Sequence, residues 1–325
     1  MKISIIIPCY NCSSTVRETI ESLESQVNQD FEVICINDGS TDDTLAVLED
    51  LQGKTSLQMK VYTQKNSGVS KTRNYGISLA ESEYILFLDA DDIYNKNFTD
   101  LLLSAMENND VDCVYCKLSR DLEKVKFEKR TNAVKLENRN EAMEKLLYEM
   151  RNYSFCCYLY KRNIIQKWRL KFNEDTKYFE DREFNWKYLC LCERFAWIDI
   201  ELYGYRVNLN SATFKKMTWE RCNTVLNAIK RIENYLQEHN CEYCYEVEKY
   251  LFARTMWGIM KGASSSKDRK LFRKIKETYD VKDCMRRLKK DRQRLVRIVA
   301  KLYLIHPSIF YFLVRLYSLL KRNVG

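Results

Sequence analysis

Apolar and polar positions follow two regimes along this chain. As far as Tyr115, short apolar runs are each followed by a polar cluster and then by apolar residues at helical spacing. That rhythm predicts an α/β domain with a mostly parallel sheet flanked by helices. Ile3–Ile7 reads as a buried strand. Val16, Ile20, Leu23 and Val27 then recur at the spacing of an amphipathic helix, with Ser13 or Ser14 as its candidate cap. Glu32–Ile36, Met59–Thr63, Tyr84–Leu88 and Val111–Tyr115 read as further strands. Between them the pattern predicts a helix capped by Ser40 that turns Leu45, Leu48 and Leu51 inward, a helix over Val69–Ala80, and a helix over Phe98–Met106. Lys117 to Asn140 is polar and reads as a surface excursion, and Tyr153 to Tyr160 is apolar and aromatic again. After Trp219 the pattern is helical to the end. We therefore expect one domain over residues 1–215, with halves of about 1–115 and 116–215, and a helical region over 216–325.

Composition changes this picture in two places. Thirteen cysteines suggest a disulfide scaffold, but the number is odd and Cys35, Cys113, Cys190 and Cys192 sit inside apolar runs. Buried free thiols in a reducing cytosol are the expectation. Cys9/Cys12, Cys113/Cys116 and Cys241/Cys244 have C-x-x-C spacing, but no two pairs are spaced as in a zinc finger, and the chain has only two histidines. The apolar run at Ile3–Ile7 is too short for a signal peptide or a membrane span, so a cytoplasmic polypeptide is expected. The net charge is +9, and it is uneven. From Ala263 onward 18 Lys and Arg face 5 Asp and Glu, a net of +13, which leaves the preceding residues at −4. No G-x-G-x-x-G follows the first strand, which excludes a dinucleotide-binding dehydrogenase. An acidic first domain without a nucleic-acid-binding motif argues against nucleic acid as a partner.

Three polar clusters fall at the carboxyl ends of predicted strands, the edge where open α/β sheets bind ligands. They are Pro8-Cys9-Tyr10-Asn11, Asn37-Asp38-Gly39-Ser40 and Asp89-Ala90-Asp91-Asp92. An isolated D-x-D more often solvates a loop. Here Asp89 abuts the apolar strand YILFL, so its cluster stands where a divalent cation and a diphosphate would meet. Asp38 can accept from a base N–H or a ribose hydroxyl, and Gly39 permits a tight turn. Asn66 to Asn74 places a glycine, hydroxyls and the cations Lys71 and Arg73 at a helix start, which suits anions or merely solvates the helix. Glu180-Asp181 lies far along the chain among aromatic residues. It is either a helix cap or the carboxylate that removes a proton from an acceptor hydroxyl.

IIIPCYN, INDGSTDD, NSGVSKTRN, FLDADD and YFEDREF occur in that order. Together they resemble family-2 glycosyltransferases of the GT-A fold, the inverting enzymes that build bacterial surface polysaccharides. The resemblance covers roughly residues 1 to 215. It implies a Rossmann-like, mostly parallel sheet with a helical C-terminal extension, and the inverting transfer of a single sugar from a nucleotide-diphosphate donor. The donor it implies is a UDP-hexose or UDP-N-acetylhexosamine, and the acceptor a hydroxyl of a lipid-linked glycan in capsule, exopolysaccharide or O-antigen synthesis. It also implies Mn²⁺ or Mg²⁺ as cofactor. By position, Pro8 and Tyr10 would line the nucleobase pocket and Asp38 would bind the base. Arg73 would lie in the donor pocket, Asp89 near the ribose and diphosphate, and Asp91 on the metal. Asp181 would be the catalytic base, with Glu180 orienting the acceptor, and Arg206 and Ser211 would contact the diphosphate. No histidine lies between Asp92 and Asn234, so a histidine metal ligand there is absent or replaced. Cys157 stands where relatives often carry a tryptophan. The alternative is a catalytically silent nucleotide-sugar-binding or scaffold protein on the same fold.

The tail carries a separate signal. Lys267 to Lys301 is densely basic, Pro307 suits a helix start, and Ile309 to Leu320 is apolar apart from a stripe at Tyr311, Arg315, Ser318 and Arg322. The segment is too short and too charged to span a bilayer. A basic stretch followed by an amphipathic helix suits an anionic membrane surface, or else a helix docked on protein. The expectation is a cytoplasmic protein, peripheral on the inner face of the cell membrane.

Overall fold

Strand β1 (Ile3–Cys9) is buried along nearly its whole length, because it pairs on both edges and is covered by helices. The computed structural model describes residues 1–128, 133–149, 153–208, 216–239 and 244–322. They divide into two compact units, Met1–Asp175 with Glu180–Val207, and Thr176–Phe179 with Asn208–Gly325.

In the first unit, β1 pairs in parallel with β2 (Phe31–Asp38) and β4 (Tyr84–Phe87), and β2 pairs in parallel with β3 (Gln58–Gln64). The crossovers run through α1 (Val16–Glu24), α2 (Thr44–Lys54) and α3 (Val69–Leu79). Burial on both faces explains why β1, β2 and β4 read as apolar runs, whereas β3 at the sheet edge is largely exposed. Gly76 lets α3 lie close on β1: a Cβ there would stand 2.3 Å from Ile6 Cγ2. The register sets Cys9 opposite Asn37, so the polar clusters after β1 and β2 finish level.

The sheet continues with β5 (Ile93–Tyr94), α4 (Phe98–Asn108), β6 (Cys113–Ser119), α5 (Leu122–Phe127), β7 (Val134–Asn138) and α6 (Arg139–Tyr148). Then come β8 (Tyr158–Lys161), α7 (Arg162–Lys167), α8 (Glu180–Leu191) and β9 (Arg194–Gly204). The strand order is β3-β2-β1-β4-β8-β6-β9-β5, with β7 also on β9. The sheet is parallel from β3 to β4 and again at β6–β9, whereas β4–β8, β8–β6, β9–β5 and β9–β7 are antiparallel. The expected parallel half is therefore joined to a mixed one.

Four local expectations differ from the structure, the first being that Val27 lies beyond the end of α1 and is 58% exposed. The stretch from Lys117 to Asn140 is not only an excursion, because it contains α5 and β7. Strand β7 pairs with β9 while leaving most of its own side chains exposed or half-exposed, so no alternation marks it. Ser40 does not cap α2. Its Oγ accepts from Asn11 N–H at 3.0 Å, and Asp42 accepts from Thr44 N–H at 3.1 Å where the helix begins. Neither Ser13 nor Ser14 caps α1, which starts after Thr15, and Ser13 instead donates its hydroxyl to Asp42 at 2.7 Å. In each case a partner about 30 residues away competes with local capping.

The second unit contains α9 (Trp219–Glu238), α10 (Cys244–Ser265), α11 (Arg269–Thr278), α12 (Val281–Leu288), α13 (Arg294–Ile305) and α14 (Pro307–Arg322). Ile232, Leu251, Met260, Met285, Leu288, Tyr303 and Phe310 are buried in it. Asp291 is fully buried and receives Arg254 Nη1 at 2.6 Å and Gln293 N–H at 2.8 Å, so its charge is paired. Among the described residues no helix is long and apolar enough to cross a membrane. Eleven cysteines among them are free, and all are buried.

Candidate active site

The three strand-end clusters and the start of α8 meet through a small number of long-range hydrogen bonds. After β1, Asn11 takes φ = 49° and reaches across to the loop after β2. Its N–H donates to Ser40, and its Oδ1 accepts from Thr41 N–H at 2.8 Å. Pro8 is half-buried and Tyr10 exposed beside this join.

Asp38 ends β2 and is almost wholly buried. Its carboxylate accepts from Ser67 N–H, Gly68 N–H and Gln64 Nε2, each at 2.8 Å. It therefore braces the loop that opens α3. Gly39 must be glycine here: φ is +64°, and a Cβ would stand 2.6 Å from Asn66 N.

Helix α3 carries Arg73 inward, where its side chain is 6% exposed. The guanidinium donates to Asp89 at 2.9 Å and to Glu180 at 3.2 Å. It also lies over the Phe155 ring, 4.4 Å from the centroid, and 5.4 Å from that of Phe172. Burial works against this charge, but the two carboxylates more than offset it and hold Arg73 firmly protonated.

Beyond β4 the three aspartates have separate environments. Asp89 faces Arg73. Asp92 is buried and accepts from the Tyr203 hydroxyl and, at 2.7 Å, from Arg206 N–H. Burial first, then the charges of Asp89 and Asp91, raise the Asp92 carboxyl well above the usual range. No described side chain donates to the Asp91 carboxylate, which burial and the Asp89 charge push up to about 6. A half-buried carboxylate destabilised by a like-charged neighbour favours a cation, which fits a metal ligand. No group of three acidic, cysteine or histidine side chains among the described residues is arranged to hold a metal ion by itself. A Mg²⁺ or Mn²⁺ site completed by substrate phosphates needs only one or two carboxylates.

Arg206 straps the segment after β9 to this cluster. Its Nε donates to the Asp91 carbonyl at 2.9 Å, and its guanidinium pairs with Glu18 of α1. Glu18 also pairs with Lys126 at 3.2 Å.

Glu180 opens α8 beside Asp181. Burial, and then the Asp181 charge, raise the Glu180 carboxyl to about 7, opposed by Arg73. Asp181 is half-buried and accepts from Arg182 N–H at 2.7 Å. Phe179, just before the pair, holds φ = 77°, which a bulky side chain rarely adopts. Ser211 lies outside the described residues.

Arg73, Asp89 and Glu180 are thus brought together directly, and Asp91 and Asp92 are joined to Arg206. Asp38 is tied to the start of Arg73's helix. Glu18, Tyr203, Phe155 and Phe172 were not singled out as site residues by the sequence. Glu18 and the two phenylalanines carry no motif, and only the tertiary fold places them here.

Residues 4–169 match the family model for glycosyl transferase family 2. The chain belongs to that family. It is 35% identical to the glycosyltransferase EpsJ of Bacillus subtilis over 217 residues, which is 65% of this chain and 62% of EpsJ. A crystal structure of Staphylococcus aureus TarS residues 1–349 in complex with UDP superposes with a TM-score of 0.65 at 20% identity, covering 100% of this chain and 92% of that one. The mannosyltransferase PcManGT of Pyrobaculum calidifontis, in complex with GDP-Man and Mn²⁺, superposes with a TM-score of 0.56 at 12% identity, covering 98% and 87%. These likenesses are of fold. This family-2 chain has the GT-A fold, a mixed and largely parallel sheet flanked by helices and extended by C-terminal helices.

Proposed function

We propose that this family-2 protein transfers one sugar, with inversion, from a UDP-hexose or UDP-N-acetylhexosamine to a hydroxyl of a lipid-linked glycan in bacterial surface-polysaccharide synthesis. Its working place on this reading is the cytoplasmic face of an anionic membrane. The observation that carries the reading is Arg73, which binds Asp89 and Glu180, residues 91 positions apart, and so joins a donor-side acidic loop to an acceptor-side carboxylate pair. UDP in the TarS complex, and UDP-GlcNAc in a second TarS complex, support the choice of donor.

On this reading residues 1–115 form the donor half, 116–215 the acceptor half and 216–325 the membrane-associating region. Pro8 and Tyr10 flank the base. Asp38 Oδ1 already takes Gln64, Ser67 N–H and the Ser67 hydroxyl, so Oδ2, which holds Gly68 N–H, has the lone pair left to accept a base N–H. Asp89 and Arg73 hold the ribose and diphosphate side, and Arg206 and Ser211 the diphosphate. Mn²⁺ or Mg²⁺ on Asp91 would neutralise the departing diphosphate. Asp181 accepts the proton of the acceptor hydroxyl as its oxygen bonds to the anomeric carbon and the bond from that carbon to UDP breaks. Glu180 orients the hydroxyl.

The test is release of UDP from a panel of UDP-sugars with Mn²⁺ or Mg²⁺, with and without extracted polyprenyl-linked acceptors. Turnover that ends on chelation and falls about 10²–10³-fold in Asp91→Ala and in Asp181→Asn is expected, the scale on which single catalytic groups act. Donor binding without any release would favour the silent scaffold instead.

A further inference from the structure

Exposed apolar side chains in the second unit gather on two consecutive helices. Leu295, Ile298 and Ile305 of α13, and Phe312, Leu313 and Leu316 of α14, are between 44% and 72% exposed. Scattered exposed leucines need no explanation, but among the described residues of this unit every large exposed apolar side chain falls on these two adjoining helices. They are not the faces that hold the unit together. Val296, Ala300 and Tyr303 of α13 and Phe310, Tyr311 and Val314 of α14 are buried, and the Tyr303 and Phe310 rings meet at 5.6 Å. Each helix thus has one apolar face turned into its unit and a second turned to solvent.

Cations border that second face. Arg294 and Lys301 are exposed and fall within about 60° of Ile298 and Ile305 around the helix axis. The Arg269 guanidinium lies 5.8 Å from the centroid of the Phe312 ring. The sequence from Ala263 onward carries the net +13. Two copies meeting through such faces would repel each other, whereas an anionic lipid surface complements them.

We propose that the solvent faces of α13 and α14 form a monotopic membrane-docking surface for anionic phospholipid, with Leu295, Ile298, Ile305, Phe312, Leu313 and Leu316 entering the headgroup–acyl boundary. This rests on the reading that the acceptor is lipid-linked, and adds the residues that bring the chain to the lipid. The helices lie along the interface, since neither is built to span it.

The experiment is flotation of the full chain with vesicles of phosphatidylglycerol and phosphatidylcholine, or of phosphatidylcholine alone. Binding to the anionic vesicles should exceed binding to neutral ones at least tenfold and weaken with salt. Phe312→Ser combined with Leu316→Ser should lose at least tenfold. Arg294→Glu combined with Lys301→Glu changes only exposed positions and should lose at least as much. Circular dichroism and melting temperature check that both variants fold.

Wild-type protein that ignores anionic vesicles, or folded variants that float like wild type, would overturn the proposal. A dimer in light scattering that the Phe312→Ser/Leu316→Ser variant dissolves, without vesicle binding, would assign the face to a second copy. UDP release separates the two readings. A chain that releases UDP but ignores vesicles refutes only the docking surface, and one that floats but releases no UDP refutes only the transferase.

Discussion

The Arg73 guanidinium stands 2.9 Å from the Asp89 carboxylate while also donating to Glu180 at 3.2 Å. One cation thus serves both acidic clusters from a nearly dry position. Arg73→Ala leaves two carboxylates without their partner and should destabilise folding by about 3–5 kcal/mol, as broken buried pairs do. Arg73→Lys keeps the charge but loses the fork that reaches two carboxylates, so it should recover part of the stability and little of the turnover. Urea denaturation and UDP release measure the two effects.

Glu180 predicts a pH dependence. Its carboxyl is raised from an ordinary 4.5 to about 7, so between those values the folded state binds more protons than the unfolded chain. Its contribution to stability is fully present below about pH 4.5 and is lost as pH rises through about 7. Glu180→Gln should flatten the fall in melting temperature across that window and leave the trend above it unchanged.

Tyr203 donates its hydroxyl to the buried Asp92, whose other oxygen holds Arg206 N–H. Tyr203→Phe should cost about 1–3 kcal/mol, the penalty of under-satisfying a buried acceptor. It should also loosen the strap after β9 and weaken UDP binding. Calorimetric titration with UDP and a urea melt give both numbers. Unchanged UDP affinity would detach Arg206 from the donor site.

Gly39 is a steric prediction. Gly39→Ala adds a Cβ 2.6 Å from Asn66 N at φ +64°, so the loop braced by Asp38 must shift. A loss of about 1–3 kcal/mol is expected. Gly53→Ala, with nothing within 4 Å of the added Cβ, is the matched control and should be neutral or slightly stabilising in the same denaturation experiment.

The sequence made the first half of the fold legible because β1, β2 and β4 are buried on both faces and give unbroken apolar runs. The ends of those runs put Asp38 and Asp89 at one edge. The second half was harder to read. Strand β7 is short and largely exposed at a sheet edge, so neither period nor hydrophobicity marks it. The connections within the site were illegible for a different reason. Arg73 could be placed in the donor region, but nothing in its spacing shows that it binds Glu180, and Glu18 looks like any solvated residue of α1. Ser40 and Asp42 carry good capping chemistry, yet both accept bonds from the loop after β1. Local signals reveal what a residue can do, and tertiary neighbours decide which of those things it does.

The strap from Arg206 also sets an order of events during synthesis. A chain emerging from the ribosome amino end first can pair β1, β2, β3 and β4 as soon as residue 87 has left the tunnel. Asp92 then still lacks Tyr203 and Arg206, and Glu18 lacks Arg206. The nascent domain would carry Asp92 without either partner until Tyr203 has emerged, whereas Glu18 gains Lys126 earlier. It would therefore emerge with an early sheet whose acidic cluster is completed late, only when Tyr203 of β9 and Arg206 just beyond that strand bring their hydroxyl, N–H and guanidinium to it.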